Sequence, residues 1–156
     1  MVRSITVTFD QPINHTPGAF SILNTSTSAV FAIAAADIAT TDNTTFTLTF
    51  DDSTTGIVGG SLADGDYTLT IDKTKVTAAT GGAQMSADHT DEFFRRFADT
   101  NGDRIVGIGE FGGFRATFGK FEASDEEYDE LFDFDGDGVV GITDFGQFRS
   151  RFGNPF

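Results

Sequence analysis

Cysteine is absent from the 156 residues, so no disulfide framework exists and cysteine usage reports no redox compartment. There is no thiol nucleophile either. Tryptophan is missing too, and methionine and tyrosine occur twice each. Basic residues are scarce, 10 against 24 acidic. The formal charge of −14 argues against nucleic acid or an anionic membrane surface as partner. No run of 18 apolar residues could span a membrane. No signal-peptide pattern opens the chain, which passes almost at once into the strand-like Ser4-Ile5-Thr6-Val7-Thr8-Phe9. It reads as a piece of a longer protein. His15 and His89, the only histidines, fall in turn-like stretches and read as surface residues. No serine lies in a nucleophile elbow, and neither Gly102 nor Gly136 sits in a phosphate-binding pattern. Closely spaced carboxylates could serve glycoside hydrolysis, but nearly all of them belong to two loops with another use. The chain reads as non-enzymatic.

From Ser4 to about Phe97 the pattern is period-2 and rich in threonine. Ile5, Val7 and Phe9 alternate with Thr6 and Thr8; Phe46, Leu48 and Phe50 with Thr47 and Thr49; Tyr67, Leu69 and Ile71 with Thr68 and Thr70. Each run has one apolar and one polar face, as an antiparallel sheet with one wet side requires. Further short runs lie near 19–23, 29–33, 75–78 and 91–97, and Ala34–Ile38 has the length of one helical turn. Turn signals separate them at Pro17-Gly18, Asp42-Asn43, Gly59-Gly60, Asp64-Gly65 and Gly81-Gly82. About seven short strands at this spacing predict a β-sandwich. Asn14, Asn24 and Asn43 open triplets of the glycosylation type, which threonine-rich sequence generates by chance.

Beyond Phe97 the grammar changes to a period of 3.6, and a shift of 34 superposes the sequence on itself. Phe111 then meets Phe145, Gly112 meets Gly146, and Phe114 meets Phe148. Arg115 meets Arg149, Phe118 meets Phe152, and Gly119 meets Gly153. Upstream, Phe94 meets Tyr128 and Phe97 meets Leu131. The Phe stripe marks one face of a short helix in each copy, over 110–118 in the first, and Gly119 and Gly153 stand where those helices stop. Ser124-Asp125-Glu126-Glu127 reads as a capping box that starts a helix carrying Tyr128 and Leu131 into the second loop. Gly112 and Gly113 each cost about 1 kcal/mol in a helix, which burial of the Phe stripe at roughly 1.5–3 kcal/mol per ring outweighs.

Each copy opens with an acidic twelve-residue loop, Asp99–Glu110 and Asp133–Asp144. In the second, carboxylates occupy positions 1, 3, 5 and 12, as in a calcium loop, whose seventh residue adds a backbone carbonyl. Each copy departs once from the EF-hand pattern: Arg104 stands where Gly is expected, and Asp144 replaces Glu. Acidity follows these loops, for residues 99–156 carry net −8 and residues 1–98 net −6. Four carboxylates this close repel one another unless a cation neutralises them, so ion binding becomes folding free energy. Calcium suits the loops better than magnesium, which demands tight octahedral geometry and keeps its waters.

Paired loops about 34 residues apart, each followed by one helix, resemble the dockerin repeats of cellulosomal and cell-surface proteins. Residues 5–97, with Leu62-Ala63-Asp64-Gly65-Asp66-Tyr67 ahead of a strand, resemble bacterial immunoglobulin-like domains. These resemblances imply two domains, an all-β immunoglobulin-like sandwich over 1–97 and a small α-helical dockerin-like pair over 98–156, with repeats at about 99–119 and 133–153. They imply two calcium ions. Asp99, Asn101, Asp103, Glu110 and the Ile105 carbonyl would hold the first; Asp133, Asp135, Asp137, Asp144 and the Val139 carbonyl would hold the second. Val106 and Val140 match the residues that pack one loop on the other. The first site is expected to be weaker, with three carboxylates against four and Arg104 near the ion. Dockerins plug into cohesins partly through small hydroxyl residues at loop positions 10 and 11. Ile108-Gly109 and Ile142-Thr143 stand there instead, which puts cohesin binding of that kind in doubt. Ile108, Ile142, Thr143, Arg115 and Arg149 are the candidate partner surface.

The implied function is a non-catalytic C-terminal attachment module of a larger secreted or surface protein, monomeric, with a protein partner such as a cohesin. A carbohydrate-binding module or a spacer stiffened by calcium is the alternative, but the chain lacks the exposed Trp and Tyr platforms that glycan binding wants. An EF-hand sensor would want a Met-rich groove, and neither Met1 nor Met85 lies in the repeats.

Overall fold

The computed structural model describes residues 1–50 and 54–155. Its strands are β1 (Ser4–Thr8), β2 (Ile13–His15), β3 (Phe20–Asn24), β4 (Ala29–Ala32), β5 (Ile38–Thr40), β6 (Thr45–Thr49), β7 (Ile57–Val58), β8 (Ser61–Leu62), β9 (Gly65–Ile71), β10 (Val76–Ala78) and β11 (His89–Arg95). Two α-helices follow, α1 (Ile108–Thr117) and α2 (Ile142–Arg151). Single 3₁₀ turns occupy Ala35–Asp37, Lys73–Lys75 and Glu130–Phe132. The chain divides into two compact units that alternate along the sequence. One holds Val2–Asp51 and Gly65–Phe94; the other holds Met1, Asp52–Asp64 and Arg95–Phe156.

The first unit is built by the period-2 runs. β1 pairs antiparallel with β6, setting Ile5 opposite Leu48 and Val7 opposite Phe46. β6 also pairs β5, so the sheet runs β1-β6-β5. A second sheet runs β11-β9-β3-β4 and sets Ile22 between Leu69 and Phe31. Opposite-face alternation aims Phe20, Ile22, Phe46, Leu48, Tyr67, Leu69 and Ile71 into the interior, where all are at least nine-tenths buried. Tyr67 stacks on Phe93, with ring centroids 5.3 Å apart. His15 lies in β2, half-buried, with its ring edge-on to Phe20 and Phe46 at 5.6 and 5.5 Å. It is therefore part of an aromatic cluster, not the surface residue expected. His89 is exposed, and its Nε2 meets Asp91 at 2.9 Å. Asn24 is buried and its Oδ1 accepts from the Thr27 amide, so in the folded chain that triplet is closed to a glycan.

The fold expected from the sequence, an immunoglobulin-like sandwich followed by a small helical pair, does not describe the molecule. Among the described residues the chain is β-rich with two α-helices, and its strands are shared among four small sheets of three, two, four and two strands. The second unit is not a helical module added after the strands, because it takes in the β7–β8 hairpin from the middle of the sequence. Nor does a helix enter the second loop. Residues 122–127 offer no apolar stripe and four acids, so nothing is gained by coiling them. The Asp125 carboxylate instead turns back to accept from the Phe121 amide at 2.9 Å, and a helix is reduced to the turn Glu130–Phe132.

In this second unit Phe97, Ala98, Val106, Phe114, Phe132, Val140 and Phe148 form one buried cluster. Phe114 and Phe148, equivalent in the duplication, stack with centroids 4.7 Å apart. Only these middle rings of the two stripes are fully covered. Phe111, Phe118 and Phe152 are 38%, 46% and 42% exposed, so the flanks of the stripe are surface. Gly113 has a packing reason: a Cβ there would sit 3.0 Å from the Phe132 ring.

Candidate metal centre

Each loop folds around its first acid. In the second loop Asp133 Oδ1 accepts from the Gly136 amide at 2.9 Å, and Oδ2 from Gly138 at 3.0 Å and the Tyr128 hydroxyl at 2.7 Å. Asp135 accepts from Asp137 N at 3.4 Å and Asp137 from Val139 N at 2.9 Å. Amides thus turn the three carboxylates inward, and one oxygen from each of Asp133, Asp135 and Asp137 lies within 4.8 Å of the others. Among the described residues no other three acids converge this closely. The positive φ that draws the loop tight falls at positions 4 and 6, at Gly136 (+73°) and Gly138 (+81°).

The first loop repeats the backbone with a different set of donors. Asp99 accepts from Gly102 N and Arg104 N at 2.8 and 2.9 Å, Asn101 from Asp103 N at 2.8 Å, and Asp103 from Ile105 N at 2.8 Å. Asn101 Nδ2 donates to Asp103 Oδ2 at 3.1 Å. Arg104 has φ of +70°, matching Gly138. A side chain in that region costs roughly 1–2 kcal/mol, and the loop carries it.

The acids at position 12 are placed differently from the rest. Glu110 and Asp144 are the third residues of α1 and α2, and each accepts from the amide just before its helix, at Gly107 (2.9 Å) and Gly141 (2.7 Å). Both are buried. Asp144 also accepts from the Phe134 amide at 2.7 Å, which ties the end of the second loop to its beginning. Val106 and Val140 are fully buried in one cluster. Their backbones, however, bond crosswise to the helix ends: Gly119 N donates to Val140 O at 2.8 Å, and Gly153 N to Val106 O at 2.9 Å. Each loop therefore clamps the end of the other repeat's helix. Gly119 and Gly153 lie at φ of +81° and +72°, where the helices were expected to stop.

Electrostatics separates the groups. Burial pushes the Asp135 carboxyl up, and the charges of Asp137 and Asp133 push it further. Asp144 is raised by burial and by the Asp135 and Asp133 charges, against the pull of the Gly141 and Phe134 amides. A divalent cation among these oxygens would remove that repulsion, and an oxygen-only donor set of carboxylates and carbonyls suits a hard ion. The residues fit calcium.

Two features escaped the sequence. The β7–β8 turn lies against the second loop: a Cβ on Gly59 (φ +56°) would stand 2.8 Å from the Asp135 carbonyl carbon and from Gly136 N. Gly59→Ala is expected to destabilise this unit by about 2 kcal/mol, since overpacking and left-handed strain act together. A urea midpoint equal to wild type would contradict the contact. The second feature is Asp64, whose carboxylate pairs with Arg95 and with Arg151 Nε, and accepts from Phe97 N at 2.8 Å. Burial pushes Asp64 up, but Arg151, Arg95 and the Phe97 amide outweigh it and hold the carboxyl below the usual aspartate range. The Arg151 guanidinium covers the Phe97 and Phe134 rings at 5.5 and 5.3 Å. Arg96 Nη2 donates to Asn154 O at 2.6 Å and to Arg151 O at 3.2 Å.

The candidate partner residues are exposed. Ile108 and Ile142, the first residues of α1 and α2, are 80% and 76% exposed, and Thr143, Arg115 and Arg149 are exposed beside them. All of them but Thr143 line two shallow apolar clefts. One, of 340 Å³, is lined by Phe111, Phe114, Arg115, Phe118, Ile142 and Phe145. The other, of 380 Å³, is lined by Ile108, Phe111, Phe145, Phe148, Arg149 and Phe152. The 34-residue shift converts each lining into the other.

No protein-family model matches the chain, and no curated protein matches it. Among solved structures it is similar to chains in two crystal structures of a type II cohesin–X-dockerin complex from Acetivibrio cellulolyticus. Against an N-terminal interface mutant the identity is 14% and the TM-score 0.35; against a C-terminal interface mutant they are 15% and 0.36. Each match covers 98% of this chain and 97% of the other. Likeness at that level assigns neither partner nor mechanism. Among the described residues, no helix is long and apolar enough to cross a membrane.

Proposed function

We propose that the protein is a non-catalytic attachment module, secreted or held at a cell surface, whose dockerin-like loops bind two calcium ions and hold a partner-binding face in shape. The observation that carries this reading is the convergence of Asp133, Asp135 and Asp137, repeated in sequence and backbone course by Asp99, Asn101 and Asp103. Asp144, Glu110 and the carbonyls of Val139 and Ile105, which lie outside that converging group, would complete the two donor sets when the ions bind. Calcium supplies charge neutralisation, and the chain's own residues set the geometry through the amides that aim each acid. Extracellular calcium is abundant enough to fill such loops, whose affinities in extracellular modules are about 10⁻⁴–10⁻³ M.

The partner would meet Ile108 and Ile142 with apolar side chains, and Arg115 and Arg149 with carboxylates. Immobilised protein is expected to capture its partner from the extracellular fraction in calcium and to release it in chelator. The Ile108→Asp/Ile142→Asp pair is expected to abolish capture while the fold persists. Capture that ignores both chelator and the pair would contradict the proposal.

Arg104 gives a test of the first site alone. Arg104→Gly removes the left-handed strain and a positive charge near the ion. Relief of about 1 kcal/mol corresponds to roughly fivefold tighter calcium binding at that site. Calorimetry of the variant should show one site improved and the other unmoved; an unchanged pair of affinities would show that position 6 does not limit the site.

A further inference from the structure

We infer that Tyr128 is a positioning residue for the second calcium loop, which gives that loop a hydroxyl donor that no described residue gives the first acid of the other loop; the inference rests on the calcium reading proposed above. The Tyr128 hydroxyl donates to Asp133 Oδ2 at 2.7 Å, and that oxygen also accepts from Gly138 N. Together with the Gly136 amide on Oδ1, this fixes both oxygens of the acid at loop position 1, itself 1% exposed. A phenol donating to a carboxylate makes a charge-assisted bond, shorter and stronger than a neutral one.

Tyr128 is anchored independently of the loop. Its own amide donates to Asp125 O at 3.1 Å, and the amide of the next residue, Asp129, donates to Thr117 Oγ1 at 2.8 Å. Thr117 is 1% exposed in α1, so the turn that carries the phenol hangs from the helix of the first repeat. Tyr128 also packs against the Phe cluster. The 34-residue shift puts Phe94 at the matching place, and Phe94 has no hydroxyl to donate. An outer partner of a metal ligand is worth about 10–100-fold in metal affinity.

The test is calcium titration calorimetry of metal-stripped wild type and Tyr128→Phe, with circular dichroism of both in saturating calcium. Wild type is expected to bind two ions. Tyr128→Phe is expected to bind two with the same spectrum, one of them at least tenfold more weakly and the other within twofold. If wild type binds no calcium, the reading of the loops fails and this inference with it. If wild type binds two ions and Tyr128→Phe matches it at both, the positioning role is wrong and the calcium reading stands. Should the variant not fold, proton NMR of calcium-loaded wild type decides. A slowly exchanging tyrosine hydroxyl proton that vanishes on chelation supports the role, and a hydroxyl in fast exchange with water overturns it.

Discussion

Removing calcium is expected to unfold the unit that holds residues 95–156 and the 57–62 hairpin, and Asp137→Ala is expected to do so in part with calcium present. At a free-ion level a hundredfold above Kd, about 10 mM for a Kd of about 10⁻⁴ M, one site contributes about 2.7 kcal/mol and two contribute about 5 kcal/mol. A small core rarely supplies more than about 3–5 kcal/mol by itself, and this one rests on Phe97, Phe114, Phe132 and Phe148 with few smaller neighbours. Two bound ions would therefore contribute as much as the core. Without them Asp133, Asp135 and Asp137 are left facing one another. Their repulsion would open the second loop, and the Val140–Gly119 bond that clamps α1 would go with it. Amide NMR should show the loss confined to this unit, with β1, β3, β6 and β9 retaining their dispersion. Loss of those strands at the same chelator concentration would show that the two units do not fold separately. Acidity should weaken calcium binding. The raised carboxyls of Asp135 and Asp144 hold protons above the ordinary value of 3.8, so calcium must displace protons there. Calcium affinity is expected to fall as pH drops into that range, while the metal-free fold gains stability over the same interval.

Asp64→Ala is expected to cost about 3 kcal/mol, because it breaks a partly buried charge network from its centre. Arg95 and Arg151 have side chains only 2% and 17% exposed, and the variant leaves both without this carboxylate. The Phe97 amide loses its acceptor as well. Asp64→Asn should cost less, since an amide oxygen can still accept from Phe97. The sign of the pH effect is opposite to that of the loop acids. The Asp64 carboxyl lies below its usual value, so its contribution is whole above about pH 4 and disappears as pH falls through its own lower value. Urea denaturation of wild type, Asp64→Asn and Asp64→Ala at neutral pH measures the series, and a loss under 1 kcal/mol for alanine would show that the arginines are solvated despite their burial.

Alternation of threonine with branched and aromatic residues was enough to place β1, β6 and β9, because a half-wet antiparallel strand has few other ways to be written. The duplicated loops, their left-handed position 6 and the glycines closing α1 and α2 were equally legible, since each depends on neighbours in sequence. What could not be read depends on distant contacts. β7 and β8 are two residues each, too short for any period to show, and Gly59 looks like an ordinary turn glycine until Gly136 is seen against it. Asp64 reads as part of a corner, whereas its partners lie 31 and 87 positions away. The capping signal at Ser124 misled because a cap starts a helix only where an apolar face rewards its continuation. The expected fold class failed for a related reason: the sequence was cut where its periodicity changes, while the second unit reaches back to 52–64 for part of its structure.

Calorimetric titration of the metal-stripped protein with calcium tests the account most directly. Two ions should bind, the tighter one lost in Asp137→Ala and the weaker one retained. A protein that takes up no calcium, or whose melting is the same before and after demetallation, would contradict it.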